Sequence, residues 1–490
     1  MSEIFKRISA RKPISSVNED ANSSELKRPL GAADLVMLGV GGIIGAGIFV
    51  LTGKAARQHA GPGIIISFLI SGLVSALACL CYAELGSTLP VSGSAYSFAY
   101  AALGEVLAWI VGWDLMIEYL VGAAAVAVGW SVYLDIFVAS LFGKEQCPDG
   151  SECSAIFNIP GFVIVLLLTG LLCYGMRESA WINNVLTAVN MLVCVVFVLT
   201  GIKFINPANY VPFTSHGHYG LSGIFQGSVS VFAAYVGFDA VTTTAQEAAN
   251  PQRDLPIGII GSLTICSVFY IAVSAVLTGM VHYSEIDMAA PVGQALIDVG
   301  LPVLAVIISF GVICGLTSVM LVLMIGQPRI FYSMSKDGLL PALFSKMNPK
   351  TGTPLQATIV SGTFCALLAG FLPVDMLGNL TSVGTLSAFF IVAVSTFVLR
   401  ITEPDLPRKF QIPGGKYIGG MVVPLLAALI SAGLFSQASP ASMLRVFIWM
   451  GIGLVVYFCY GYHHSVLGRQ ISGKLPRKQP IPYHDVLSKV

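Results

Sequence analysis

Apolar segments long enough to cross a bilayer recur along this chain from about residue 33 to residue 463. A helix needs about 20 consecutive apolar residues to span the hydrocarbon core. Lipid offers no water to unpaired backbone groups, so a chain with this pattern folds as helices. Only 10% of the 490 residues are charged, against about 25% in a typical soluble protein, which excludes a soluble globular fold. Hydropathy predicts twelve spans, at 33–58, 62–88, 97–141, 160–176, 181–205, 221–247, 256–280, 292–326, 356–371, 376–400, 418–436 and 442–463.

Lys and Arg set the orientation of such spans. With the N-terminus inside, 21 of the 26 basic residues fall on that side. The other side receives Lys54, Arg57, Lys144, Lys203 and Arg445. Both termini are therefore expected to be cytosolic. The first 30 residues carry six basic side chains and no apolar core, so they read as a cytosolic tail rather than a signal peptide. A net charge of +1 without a basic stripe gives no nucleic-acid signal. Eight of the ten cysteines lie in apolar segments, where Cys acts as a small hydrophobe. Cys147 and Cys153 flank a polar loop instead, and their spacing leaves a small disulfide open.

The first span contains Gly39-Val40-Gly41-Gly42-Ile43-Ile44-Gly45-Ala46-Gly47-Ile48-Phe49. Glycine costs about 1 kcal/mol relative to alanine in a helix interior, so five within eleven residues predict a helix interrupted in mid-membrane. The first half would end near Ile43 and Ile44, with carbonyls aimed at a cation. The second would start near Ala46, with amides and its positive dipole end aimed at an anion. Neighbouring cation and anion receptors suit a zwitterionic α-amino acid. Close helix packing is the plainer use of such glycines.

A second irregularity, Ser230 to Asp239, sets Gly237 near a carboxylate inside the sixth span. A broken helix five spans after the first is what two inverted five-helix repeats would give. The organisation expected is a tail (1–30), spans 1–5 (31–205), spans 6–10 (206–400), spans 11–12 (401–463) and a second tail (464–490).

Ionisable groups at depth are costly and therefore functional candidates. Glu118 lies inside the third span and shares a face with Asp114 and Gly122. It reads as facing the cavity, there to bind a cationic side chain or carry a proton; a structural tie to a tyrosine or the backbone is the alternative. Asp239 either lines the path or caps the broken sixth helix, and capping is favoured. Glu247 at the inner mouth either forms a gate salt bridge or is paired at the surface, the surface pair being favoured, and Glu84 reads similarly. Asn190, deep in the fifth span, reads as a hydrogen bond between helices. Thr317 and Ser318 offer oxygens for a Na⁺ cage, or bond their own helix backbone. No histidine lies deep in a span, and no hydrolase, zinc or nucleotide motif is present. No cofactor or metal and no enzymatic activity are expected.

The stretches GVGGIIGAGIFVLTG (39–53), YAELGSTLPVSGSAYSFAY (82–100), GWDLMIEYLVGAAAVA (112–127), FAAYVGFDAVTTTAQEAANPQRDLPIGI (232–259), GQPRIFYSMSKDGLLP (326–341) and SVGTLSAFFIVAVSTFVLR (382–400) resemble the cationic amino acid transporter family of the amino acid–polyamine–organocation superfamily. The resemblance covers about residues 30–460 and points to a bacterial-type, twelve-span member. It implies the LeuT fold, named after the leucine transporter, with helices 1 and 6 unwound at the site. The substrate carboxylate would meet the amides of Gly45, Ala46 and Gly47. The ammonium would meet carbonyls around Ile43 and those of Phe232, Ala233 and Val236, with Phe232 as an aromatic gate. Glu118 matches a carboxylate on helix 3. Asn190 aligns with a lysine of proton-coupled bacterial relatives, and an amide cannot titrate. Animal members resemble this chain there but have fourteen spans.

The sequence thus reads as an amino acid permease of the cell membrane, working by alternating access on arginine, lysine or ornithine. Broad or small-neutral amino acid/proton symport is the alternative, and a transporter-like amino acid sensor a distant one. The coupling proton and the oligomeric state stay open. No outward loop carries an N-x-S/T site, which leans toward a bacterial inner membrane.

Overall fold

The computed structural model describes residues 9–22, 26–45, 47–142, 157–213, 220–288 and 290–475. Cys147 and Cys153 lie outside them. Among the described residues the chain is all-helical, and its one backbone bridge outside helices joins Leu30 to Ala248. Among the described residues nine helices are long and apolar enough to cross a membrane, and Ala32–Ile43, Ile159–Tyr174 and Leu355–Phe371 are shorter apolar helices.

Helix α1 is Ile14–Asn22 and α2 is Ala32–Ile43. Residues 47–60 form α3, and Ile64–Thr88 forms α4. Short α5 is Ala95–Ala102, and α6 (105–142) contains a π turn at Ile117–Val121. Then come α7 (Ile159–Tyr174), α8 (Met176–Gly201), α9 (Leu221–Phe232), α10 (Ala240–Thr243) and α11 (Pro251–Met280). The series ends with α12 (Pro291–Asp298), α13 (Pro302–Lys336), α14 (Leu355–Phe371), α15 (Val374–Thr402), α16 (Val423–Ser436), α17 (Pro440–Val456) and α18 (Val466–Ile471).

Two spans divide where the sequence predicted continuous helix. The stretch 97–141 breaks at Gly104, whose φ of +112° ends α5 and restarts the chain as α6. The stretch 292–326 separates into α12 and α13 at Gly300 (φ +81°). Pro302 at the first turn of α13 suits a helix start, where its missing N–H costs nothing.

Helix α11 packs against α2 and α4, and α13 packs against α6 and α8. Apolar side chains gain little from leaving lipid, so small residues and hydroxyls supply much of the adhesion. Ser67 donates to the Ile224 carbonyl (2.8 Å) and Ser71 to that of Ser228 (2.7 Å), riveting α4 to α9.

The described part of the N-terminal tail is not free. Val17, Ala21, Leu26 and Leu30 are buried. The Leu30 amide donates to the Glu247 carbonyl (3.1 Å), and the Ala249 amide to the Leu30 carbonyl (2.8 Å). Lys12 bridges Asp20 (2.7 Å) and Asp337 (2.5 Å). Burial works against its charge, but Asp337 and Asp20 outweigh that and hold its pKa above the ordinary lysine value. The Asp337 carbonyl also accepts from the Val466 amide (3.0 Å). Both ends of the described chain therefore converge on one face, at Asp337.

Candidate functional site

Helix α2 stops at Ile43. Ile44 leaves helical geometry (φ −78°, ψ 92°), and helix resumes at Gly47 as α3. Ala46 lies outside the described residues. Helix α9 ends at Phe232; a 3₁₀ turn, Ala233–Tyr235, follows, and Val236 is extended. Gly237 then takes φ +125°, where any other residue would be strained, and a Cβ there would strike the Gly42 carbonyl. A Cβ on Gly47 would lie 2.8 Å from Cα of Ala234. The two interruptions meet back to back, so the glycines serve both the break and the close packing that permits it.

Breaking a helix frees carbonyls, and buried ones need donors. The Asn190 side-chain amide, from α8, donates to the Ile44 carbonyl at 2.9 Å. Asn190 is thus the interhelical bond its sequence position suggested. Tyr270 of α11 reaches the Ile43 carbonyl (2.8 Å) and the Ala234 carbonyl (2.7 Å). The Phe232 ring stands edge-on to Phe389, 6.3 Å between centroids. The Ala233 carbonyl accepts from the Val236 amide at 3.4 Å.

Thr317 donates to the Ile313 carbonyl of its own helix (2.7 Å) and accepts from the Trp130 indole (3.0 Å). Ser318 donates to Asn183 (2.8 Å) and lies 3.0 Å from the Thr187 hydroxyl. The hydroxyls weighed as a Na⁺ cage are thus bonded to protein groups.

Glu118 sits on the π turn of α6 and is 1% exposed. Such turns occur often at functional sites. Neither of its oxygens meets hydrogen-bond geometry among the described residues, so the alternative reading, a tie to a tyrosine or the backbone, is not seen there. Its polar neighbours are Asp239, Thr385 and Asp114, and Thr385 spends its own hydroxyl on the Thr381 carbonyl (3.1 Å). Asp114 accepts from Ser387 through one oxygen, and its other oxygen has no hydrogen-bond partner among the described residues. Asp239 occupies the position before α10 but makes no side-chain cap bond. Its carboxylate accepts from the Tyr119 hydroxyl of the π turn at 2.5 Å, and the amides of Gly237, Asp239 and Ala240 also act on it. Asp239 thus links α6 to the second break. None of the three carboxylates is ion-paired among the described residues. An uncompensated buried charge costs several kcal/mol, so a cation or a proton would stabilise this cluster.

Two expectations at the N-terminal face are corrected. Glu247 is 1% exposed and forms a bidentate pair with Arg329, itself 4% exposed. It is a buried bridge from the second broken span to α13, not a surface pair. Glu84 is likewise buried and holds Arg400, Arg408 and the Ile412 amide (2.9 Å). Arg329 lies beyond the expected span 292–326, and α13 runs on through Pro328 to include it. Tyr270 and Tyr119 carried no sequence signal, since tyrosine is common in apolar helices.

Two interrupted helices meeting inside an apolar bundle, with a buried acidic cluster beside them, are the pattern on which membrane transporters build a binding site. Residues 30–460 match the amino acid permease family. The chain is 41% identical to the methylthioribose transporter of Bacillus subtilis, over 96% of this chain and 100% of that one. It is 42% identical to the branched-chain amino acid permease BcaP of the same organism, over 92% and 96%. It is 41% identical to the vacuolar cationic amino acid transporter 4 of Arabidopsis thaliana, over 81% and 67%. The chain belongs to the amino acid permease family: it is a multi-pass membrane transporter and not an enzyme.

Proposed function

We propose that the protein moves cationic L-amino acids, arginine, lysine or ornithine, across the cell membrane by alternating access. Glu118 carries this reading: a buried carboxylate beside the breaks, without an ion pair among the described residues, is a receptor for a cationic side chain. The backbone at Gly45, Ala46 and Gly47 receives the substrate carboxylate, and carbonyls near Ile43, Phe232, Ala233 and Val236 receive the ammonium. Thr317 on α13 shapes the side-chain pocket, and Phe232 covers it. The arrangement is the LeuT-like one of two inverted repeats, 31–205 and 206–400, with 401–463 outside them. Both termini face the cytosol, a reading supported by the excess of basic residues and by their shared face at Asp337.

A second reading has its own support. Relatives named for branched-chain amino acids and for methylthioribose match nearly the whole chain. If the substrate is neutral, Glu118 holds a proton rather than a side chain, and transport follows a proton gradient. Equilibrium binding of labelled arginine to the purified protein separates the two. Displacement by lysine and ornithine but not leucine supports the cationic reading, and displacement by leucine supports the neutral one.

A further inference from the structure

Tyr270 is fully buried in α11, and its ring is wedged between those of Phe68 and Tyr235, at 5.3 and 5.0 Å. Nothing in the reading above uses it. Its hydroxyl lies within hydrogen-bond distance of the Ile43 carbonyl, at the end of α2, and of the Ala234 carbonyl, in the turn after α9. Each is a carbonyl that a helix break leaves without its usual amide. Two carbonyl ends facing one point repel each other, and a cation or donor between them relieves that. A phenol has one proton, so it satisfies one of the two at a time. The other keeps an acceptor open for a further N–H donor.

We propose that Tyr270 is a positioning residue for the substrate amine. It holds the carbonyls of Ile43 and Ala234 in the geometry that an α-ammonium group completes. Ala234 thereby joins Ile43 in the ammonium subsite. The inference rests on the amino acid reading of the breaks, and the experiment separates the two.

From the twenty L-amino acids, the one that most raises the Tm of the purified wild-type protein is paired with its 2-hydroxy acid, which lacks only the amine. Dissociation constants for both are taken from the Tm shifts in wild type, Tyr270→Phe and Tyr235→Phe. Phenylalanine keeps the ring contacts at position 270. Tyr235 also donates to a buried carbonyl, that of Phe68 (2.8 Å), and so controls for loss of a buried hydroxyl. The expected result is that Tyr270→Phe reduces the preference for the amino acid by about tenfold, the scale of one charge-assisted hydrogen bond, while Tyr235→Phe leaves it within about twofold. An unchanged preference in Tyr270→Phe, or equal weakening of both ligands, overturns the role of Tyr270 and leaves the amine site standing. A wild type that binds the two ligands alike, or binds no amino acid, removes the amine site and this proposal with it. Should Tyr270→Phe fail to fold, Tyr270→His is measured in its place. Its shorter ring withdraws the donor, so the preference again falls, and an unchanged value overturns the proposal.

Discussion

The side-chain amide of Asn190 donates to the carbonyl of Ile44 at 2.9 Å, across the gap between α8 and the end of α2. The interruption is thus held from outside by an amide that cannot change its charge. Asn190→Leu orphans a buried carbonyl, which costs about 1–3 kcal/mol. The variant is expected to lose several degrees of Tm and to bind substrate more weakly. Asn190→Asp is expected to be worse, because a carboxylate then faces a carbonyl. Thermal unfolding and substrate binding of both variants check this, and wild-type values would remove the bond from the account.

Gly45→Leu is expected to abolish transport while leaving membrane insertion intact. A Cβ at Gly45 already falls 2.8 Å from Cγ2 of Val319, and the longer side chain fills the backbone receptor beside it. Uptake into proteoliposomes at matched protein density is the measurement. Transport at the wild-type rate would rule out the break as the site.

Glu118→Gln preserves shape and removes the charge. It is expected to weaken arginine about tenfold or more while changing leucine or alanine little, since a desolvated ion pair is lost only with the cationic ligand. Equal losses for arginine and alanine would assign Glu118 to protonation or to structure.

Glu247→Ala leaves the Arg329 guanidinium buried without its partner. Such a loss costs about 3–5 kcal/mol, and removing both partners costs less. Glu247→Ala is therefore expected to lower Tm more than the Glu247→Ala, Arg329→Met double variant. A double variant no more stable than the single one would show that the pair is not the buried bridge described.

Lys12→Ala releases two aspartates at the N-terminal face and is expected to expose the strap formed by residues 9–22. Limited proteolysis should cut the variant there faster than wild type, and equal rates would contradict a docked strap.

The helices and the first break were legible in the sequence because hydropathy and glycine speak through local physics. Five glycines in eleven residues mark a place where helix is weak, and the chain leaves helix at Ile44. Asn190 was legible for a similar reason: a lone amide in an apolar span must find a partner. Side chains whose meaning depends on tertiary approach were not legible. Glu247, Glu84 and Arg329 sit near span ends, where sequence cannot tell a surface from a buried seam, and all three are buried. Asp239 has the spacing of a cap, and Tyr119 of the π turn at Ile117–Val121 also reaches it. Nothing in Ile117-Glu118-Tyr119-Leu120-Val121 announces that turn. The docking of the tail was not legible either, because its anchors, Val17, Ala21, Leu26 and Leu30, are spread among polar residues.

Counterflow of labelled arginine into proteoliposomes loaded with unlabelled arginine, competed by lysine, ornithine, leucine and alanine with and without a pH gradient, tests the central claim most directly. The account predicts accumulation of label that lysine and ornithine abolish, that alanine and leucine leave intact, and that the gradient does not change. Competition by alanine and leucine with gradient-driven accumulation would contradict it, and would make Glu118 the seat of a transported proton.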